Sequence, residues 1–216
     1  MEPTTVHLVR HGEVFNPDGV LYGRLPGYGL SDLGERMARR LGEYFADAEL
    51  AALRCSPLQR ARETMAPIAE RHPELNVTFD TRVLEAGNEL EGQVFGKDNS
   101  ALFKPANWRY FVNPLRPSWG EAYVSVARRM RTAIADAAAQ APGARTVIVS
   151  HQLPIWIARC DAEGRSLIHD PRRRECNLAS VTTFSLIAGR VVSVSYDEPA
   201  RDLLPAKSRR KFAVGK

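Results

Sequence analysis

Thr146-Val147-Ile148-Val149-Ser150 is the stretch whose reading decides the fold. It is a short, uncharged, β-branched run, the pattern of a strand buried on both faces, as in parallel sheets. Thr5-Val6-His7-Leu8-Val9 reads the same way near the N-terminus, and residues 51–55 and 77–79 supply shorter strands. Helical spacing separates these runs. Residues 31–46 carry Leu33, Met37, Leu41 and Tyr44/Phe45 at helical intervals, with Ser31 placed to cap them. Ser56-Pro57-Leu58-Gln59 has serine at a cap, proline at the first helical position and glutamine three residues after the serine, which predicts a helix start. That helix runs to about Arg71, where His72-Pro73 ends it. A further helix is predicted from about Glu121 to Gln140, with Tyr123, Ala127, Met130 and Ile134 on one face. Strands at 179–187 and 190–196 are joined by a turn at Ala188-Gly189.

Strands alternating with helices predict an α/β fold: a three-layer α/β/α sandwich with a mostly parallel central sheet, helices on both faces and a small inserted cap. The cap is residues 93–118, where Gly96, Pro105, Pro114 and Pro117 are mixed with Phe95, Phe103, Trp108, Tyr110 and Phe111. The 216 residues suit one domain over 1–205, followed by a basic flexible tail at 206–216 that carries Lys207-Ser208-Arg209-Arg210-Lys211.

Composition excludes several function classes. No apolar run approaches a membrane span, and the N-terminus lacks the basic-then-apolar order of a signal peptide, so a cytoplasmic location is expected. Cys55, Cys160 and Cys176 stand far apart, which argues for reduced thiols rather than a disulfide framework or a zinc site. The net charge of +5 is compatible with nucleic acid, with an anionic small substrate or with nothing specific. No zinc finger, aromatic-rich RNA motif or helix-turn-helix accompanies the basic runs, which argues against nucleic acid as a partner. Oligomeric state, a homodimer included, is not encoded in these patterns.

In parallel sheets ligands bind beyond the carboxyl ends of the strands, and three polar clusters sit at or near such ends. In Arg10-His11-Gly12-Glu13, an imidazole at a strand end is a nucleophile usable at neutral pH. Gly12 would let the backbone turn sharply there, and Arg10 can grip a phosphoryl group bidentately. Arg60 falls in the first turn of a helix, where guanidinium and helix dipole together make an anion site; Arg62, about 200° further round, reads as a surface residue. His151 follows the strand at 146–150 and could bind phosphate as an imidazolium.

These motifs together resemble the histidine phosphatase superfamily, the phosphoglycerate mutase-like family. The matching segments are Leu8-Val9-Arg10-His11-Gly12-Glu13, Ser56-Pro57-Leu58-Gln59-Arg60-Ala61-Arg62-Glu63-Thr64, Leu84-Glu85 closed by Glu91-Gly92, Gly120-Glu121, and Val149-Ser150-His151, in the family's order. The resemblance implies that His11 attacks phosphorus, that Arg10, Arg60 and His151 surround the phosphate, and that Glu85, with Glu89 as rival, is the general acid. It places Asn16, Tyr22, Gly23 and Gln152 around the phosphate, and implies no metal and no cofactor. The sequence departs from the family pattern at Val14, where Thr or Ser is usual, at Asn16, which comes one residue early, and at Gln152, where glycine is usual.

The expected function is hydrolysis of a small phosphomonoester through a phosphohistidine on His11. The alternatives are phosphoglycerate mutase-type transfer, which the lack of a proline run around 107–114 disfavours, and a non-catalytic phospho-ligand-binding domain. Lys97, Lys104, Arg109 and Arg116 are candidates for recognising a second anionic group.

Overall fold

The computed structural model describes residues 3–94 and 120–204. The inserted cap, apart from Gln93 and Val94, and the basic tail lie outside the described residues, as do Lys97, Lys104, Arg109 and Arg116. The described residues form strands β1 (Thr4–Arg10), β2 (Leu50–Cys55), β3 (Val77–Phe79), β4 (Arg145–Ser150), β5 (Val181–Ile187) and β6 (Arg190–Asp197). The helices are α1 (Asp32–Phe45), α2 (Gln59–Glu70), α3 (Tyr123–Gln140) and α4 (Gln152–Ala162).

The sheet order is β3-β2-β4-β1-β5-β6. β1, β2, β3 and β4 are parallel, while β5 and β6 run antiparallel at one edge. The strand at 146–150 is indeed central, between β2 and β1. Period-2 alternation sorts its side chains onto two faces. Ile148 joins Val6, Leu8 and the buried stripe of α3 (Met130, Ile134) and α4 (Ile155) in one core. Val147 and Val149 join Val9, Met37, Leu41, Met65 and Ile68 in the other, under α1 and α2. The three-layer sandwich follows. No helix among the described residues is long and apolar enough to cross a membrane.

Local signals explain most boundaries. Ser31 caps α1, its hydroxyl accepting from the Gly34 N–H at 3.1 Å. Ala188 and Gly189 both have positive φ, as a two-residue hairpin turn requires. α2 departs from expectation: it begins at Gln59, and its N-cap Leu58 makes no side-chain cap bond.

His7, inside β1, packs its ring 5.3 Å from that of Phe45 and places Nδ1 2.9 Å from Thr183 Oγ1. Burial, helped by the nearby Arg145 charge, lowers its pKa from 6.5 to about 4. The unfolded chain therefore takes up this proton at a higher pH than the folded chain. The stabilisation is complete above pH 6.5 and drains away as pH falls towards 4. Between pH 7.5 and 4.5, His7→Gln is expected to lose about 2.5 kcal/mol less unfolding free energy than the wild type in urea titrations. Equal losses would show that His7 is not the source.

Candidate active site

Arg10 ends β1 and His11 follows it, each 2% exposed. The Arg10 Nη1 donates to the Cys176 carbonyl at 2.7 Å. His11 Nδ1 lies 2.7 Å from the Gly12 carbonyl. A carbonyl can only accept, so Nδ1 carries the hydrogen and Nε2 keeps the lone pair. Among the described residues Nε2 has no hydrogen-bond partner. Burial first, then Arg60 and Arg10, hold the His11 pKa well below its usual value, so the imidazole is neutral at physiological pH.

Gly12 is needed for packing rather than for a left-handed turn: it is absent from the residues with positive φ. A Cβ there would come 2.6 Å from the Gly34 carbonyl oxygen, and one on Gly34 would come 2.0 Å from that of Glu13. The two glycines let α1 press directly on the loop that carries His11. The Gly12 N–H donates to Thr64 Oγ1 at 3.1 Å, and that hydroxyl donates to the Arg60 carbonyl at 2.7 Å, tying the loop to α2.

Arg60, the second residue of α2, is 1% exposed. Its Nη2 donates to the Gly23 carbonyl at 2.7 Å and its guanidinium lies 4.7 Å from the Tyr22 ring centroid. Gly23 has φ +40°, and a Cβ there would meet the Glu91 carboxylate at 2.2 Å. Tyr22 and Gly23 thus act on Arg60, one through its ring and the other through its carbonyl.

His151 is fully buried, with its ring centroid 5.1 Å from that of His11. Its Nε2 is 2.8 Å from Ser56 Oγ, which also accepts from the Leu58 N–H at 3.5 Å. Burial, then Arg60, His11 and Arg10, lower its pKa well below the usual value. In the ligand-free protein it is therefore a neutral imidazole; the imidazolium expected from the sequence belongs to the phosphate-bound state. α2 and α4 both start in this cluster without side-chain caps, so their positive dipole ends face it. Buried Arg10 Nε, Arg60 Nε and His151 Nδ1 have no hydrogen-bond partner among the described residues.

Glu85 is half-buried, and its charge acts on Tyr22, Arg60, Arg174 and Cys176. Its main-chain carbonyl accepts from Arg24 Nε at 2.6 Å and its Oε1 from the Ala86 N–H at 2.9 Å. Glu89 is exposed. The structure thus brings Glu85, not Glu89, to the cluster.

Asn16 is engaged elsewhere. Its Nδ2 donates to the Val20 carbonyl at 2.9 Å and its Oδ1 accepts from the Val20 N–H at 3.0 Å, so it braces its own loop. Gln152 reaches the cluster indirectly: its Nε2 donates at 3.3 Å to the Cys176 carbonyl that also holds Arg10. That carbonyl, Ser56, Thr64 and Arg174 were not singled out as site residues from the sequence. Among the described residues no group of three or more His, Cys, Asp or Glu could hold a metal ion. An open cleft of about 490 Å³ beside α2 and β3, lined by Arg62 and Phe79 among others, contains none of the cluster.

The chain is 49% identical over 199 residues to Rv0525 of Mycobacterium tuberculosis, itself uncharacterized, covering 92% of this chain and 98% of that protein. It is 26% identical to phosphoserine phosphatase 1 of Hydrogenobacter thermophilus, covering 77% of this chain and 87% of that one. The structure of YhfR from Bacillus stearothermophilus superposes with a TM-score of 0.74 at 25% identity, covering 87% and 94% of the two chains. The histidine phosphatase superfamily (branch 1) profile matches residues 6–199. With that match spanning His11, Arg60 and His151 alike, the chain belongs to the histidine phosphatase superfamily.

Proposed function

We propose that this protein is a phosphatase that hydrolyses a phosphomonoester through a phosphohistidine formed on His11. One observation carries the reading. A neutral imidazole, with Nδ1 fixed on its own loop and Nε2 unpartnered, stands among two buried guanidinium groups that have no carboxylate partner among the described residues.

A phosphate dianion would supply the acceptors that Arg10 Nε, Arg60 Nε and His151 Nδ1 lack. His11 Nε2 then attacks phosphorus; the N–P bond forms as the ester P–O bond breaks. Glu85 gives its proton to the leaving oxygen. In the second half, Glu85 takes a proton from a water whose oxygen attacks the phosphohistidine, releasing phosphate and free His11. Arg10, Arg60 and the two helix starts stabilise the charge on the transferring phosphoryl oxygens, where such fixed groups do most. The identity with a phosphoserine phosphatase supports hydrolysis over isomerisation.

The test is a panel of phosphate esters, including an aryl phosphate and 3-phosphoglycerate with and without 2,3-bisphosphoglycerate. Released phosphate is followed alongside rapid quenching. Phosphate release with an acid-labile, alkali-stable phosphoenzyme mapped to the His11 peptide is expected. Isomer formation without release would replace the reading with a mutase, and silence on every ester with a binding role.

A further inference from the structure

Most arginines withdrawn from solvent in this protein have a carboxylate. Arg54 reaches Asp80 at 3.7 Å, Arg82 reaches Asp80 at 2.8 Å, Arg129 reaches Glu121 at 2.9 Å, Arg159 reaches Glu163 at 3.0 Å and half-buried Arg40 reaches Asp202 at 2.9 Å. Arg10, Arg60 and Arg174 have none among the described residues. The first two are accounted for by the phosphate. Arg174 is not.

Arg174 follows a short 3-10 turn, Pro171–Arg173, on the chain that leads into β5. Its carbonyl accepts from the Cys176 N–H at 3.0 Å, and the Cys176 carbonyl holds Arg10, so Arg174 sits two residues from the phosphate machinery. Its guanidinium feels the charges of Glu85 and Arg10. Its Nε donates at 2.8 Å to His169 Nε2. His169 Nδ1 lies 2.7 Å from the Leu167 carbonyl, which fixes the tautomer that leaves Nε2 as an acceptor. His169 is therefore a neutral prop for Arg174. Its ring is wedged between Tyr123 and Trp156, at centroid distances of 5.5 and 5.8 Å.

Burial lowers the Arg174 pKa, whereas hydrogen bonds to Asp80 and Asp136 raise that of Arg82. A guanidinium cannot lose its proton at physiological pH, so an arginine held away from water with only a neutral imidazole is costly unless an anion joins it. The neighbouring basic residues show how selective this placement is: Arg172 and Arg173 are exposed, and Arg172 pairs with Asp170 at 2.9 Å.

Building on the phosphatase reading, we infer that Arg174, propped by His169 and flanked by Tyr123, is a second anion subsite, and that the substrate is a compact phosphomonoester carrying a carboxylate or a second phosphate a few bonds from phosphorus.

The test compares matched esters. 3-Phosphoglycerate and glycerol 3-phosphate differ by a carboxylate against a hydroxymethyl group. Propane-1,3-diol bisphosphate and its monophosphate differ by a second phosphate. In the wild type, kcat/KM for the ester carrying the second anionic group is expected, on the better of the two arms, to exceed that of its matched monophosphate by about tenfold to a hundredfold. Arg174→Gln should bring that ratio to within about twofold, mainly through KM, and Arg174→Lys should restore part of it. The arm that responds identifies carboxylate or phosphate. A wild-type ratio near one on both arms, or a ratio untouched by Arg174→Gln, overturns the subsite; so a variant that fails to fold leaves the wild-type ratio and Arg174→Lys to decide. Calorimetric binding of the same pairs to the wild type separates the two readings. Selective binding without turnover of any ester keeps the subsite and removes the phosphatase, turnover without selectivity does the reverse, and neither binding nor turnover removes both.

Discussion

His11→Ala is expected to lower phosphate release by about ten-thousandfold or more while leaving a folded protein. The size follows from what the side chain does. Arg10, Arg60 and the helix starts remain in the variant and still bind a phosphate ester, but no other group among the described residues combines a free lone pair with this placement. His151 is the nearest imidazole, 5.1 Å away between ring centroids, and its Nε2 is occupied by Ser56. The fold should survive because His11 belongs to neither apolar core. Its loop also stays tied by Gly12 to Thr64. A control adds specificity: imidazole in solution, able to enter the space left by the ring, should restore part of the phosphate release in His11→Ala and none in an Arg60 variant. Residual activity above about a hundredth of the wild type, with no response to imidazole, would mean that water attacks the ester directly and that His11 serves another purpose.

The sequence made the layers legible because β4 and β1 are short, apolar and β-branched, and because α1 and α3 carry one-sided stripes. It did not show α4. Gln152-Leu153-Pro154-Ile155-Trp156-Ile157-Ala158 is buried nearly all round, so no polar face marks a helical period, and the proline near its start blurs the signal further. In the site, charged side chains within motifs were readable, and His11, Arg10, Arg60, His151 and Glu85 are brought together. What was hidden depends on contacts across the chain. Ser56 has all the local chemistry of a cap, yet its hydroxyl also reaches a histidine 95 residues away. The Cys176 carbonyl that holds Arg10 is a backbone atom, and no side-chain pattern announces it. Arg174 is one of three consecutive arginines, and the residue pattern does not say which of them turns inward; it follows the 3-10 turn at Pro171–Arg173. Asn16 is the reverse case: a residue type suited to phosphate whose carboxamide closes on Val20 instead.

Arg60→Met should separate catalysis from stability. A buried guanidinium with no carboxylate partner among the described residues, close to a second one at Arg10, is a burden on the ligand-free fold. Methionine of similar length removes that burden. It also removes the hydrogen bond to Gly23 and the stacking on Tyr22, each worth about 1 kcal/mol, so the two effects roughly offset. The Tm of the ligand-free variant is therefore expected to match or exceed that of the wild type. kcat/KM should nevertheless fall by about a thousandfold, because the lost donor acts on charge that develops in the transition state. Inorganic phosphate at a hundred times its Kd should stabilise the wild type by about 2.7 kcal/mol and the variant hardly at all. Arg54→Met provides the contrast. Arg54 is also buried, but it is paired with Asp80 and hydrogen-bonded to Gln140 beneath the sheet edge. Its loss should lower Tm and leave the phosphate response intact. If Arg60→Met instead destabilised the protein as Arg54→Met does, and phosphate still raised its Tm, Arg60 would be an ordinary structural arginine and the anion site would lie elsewhere.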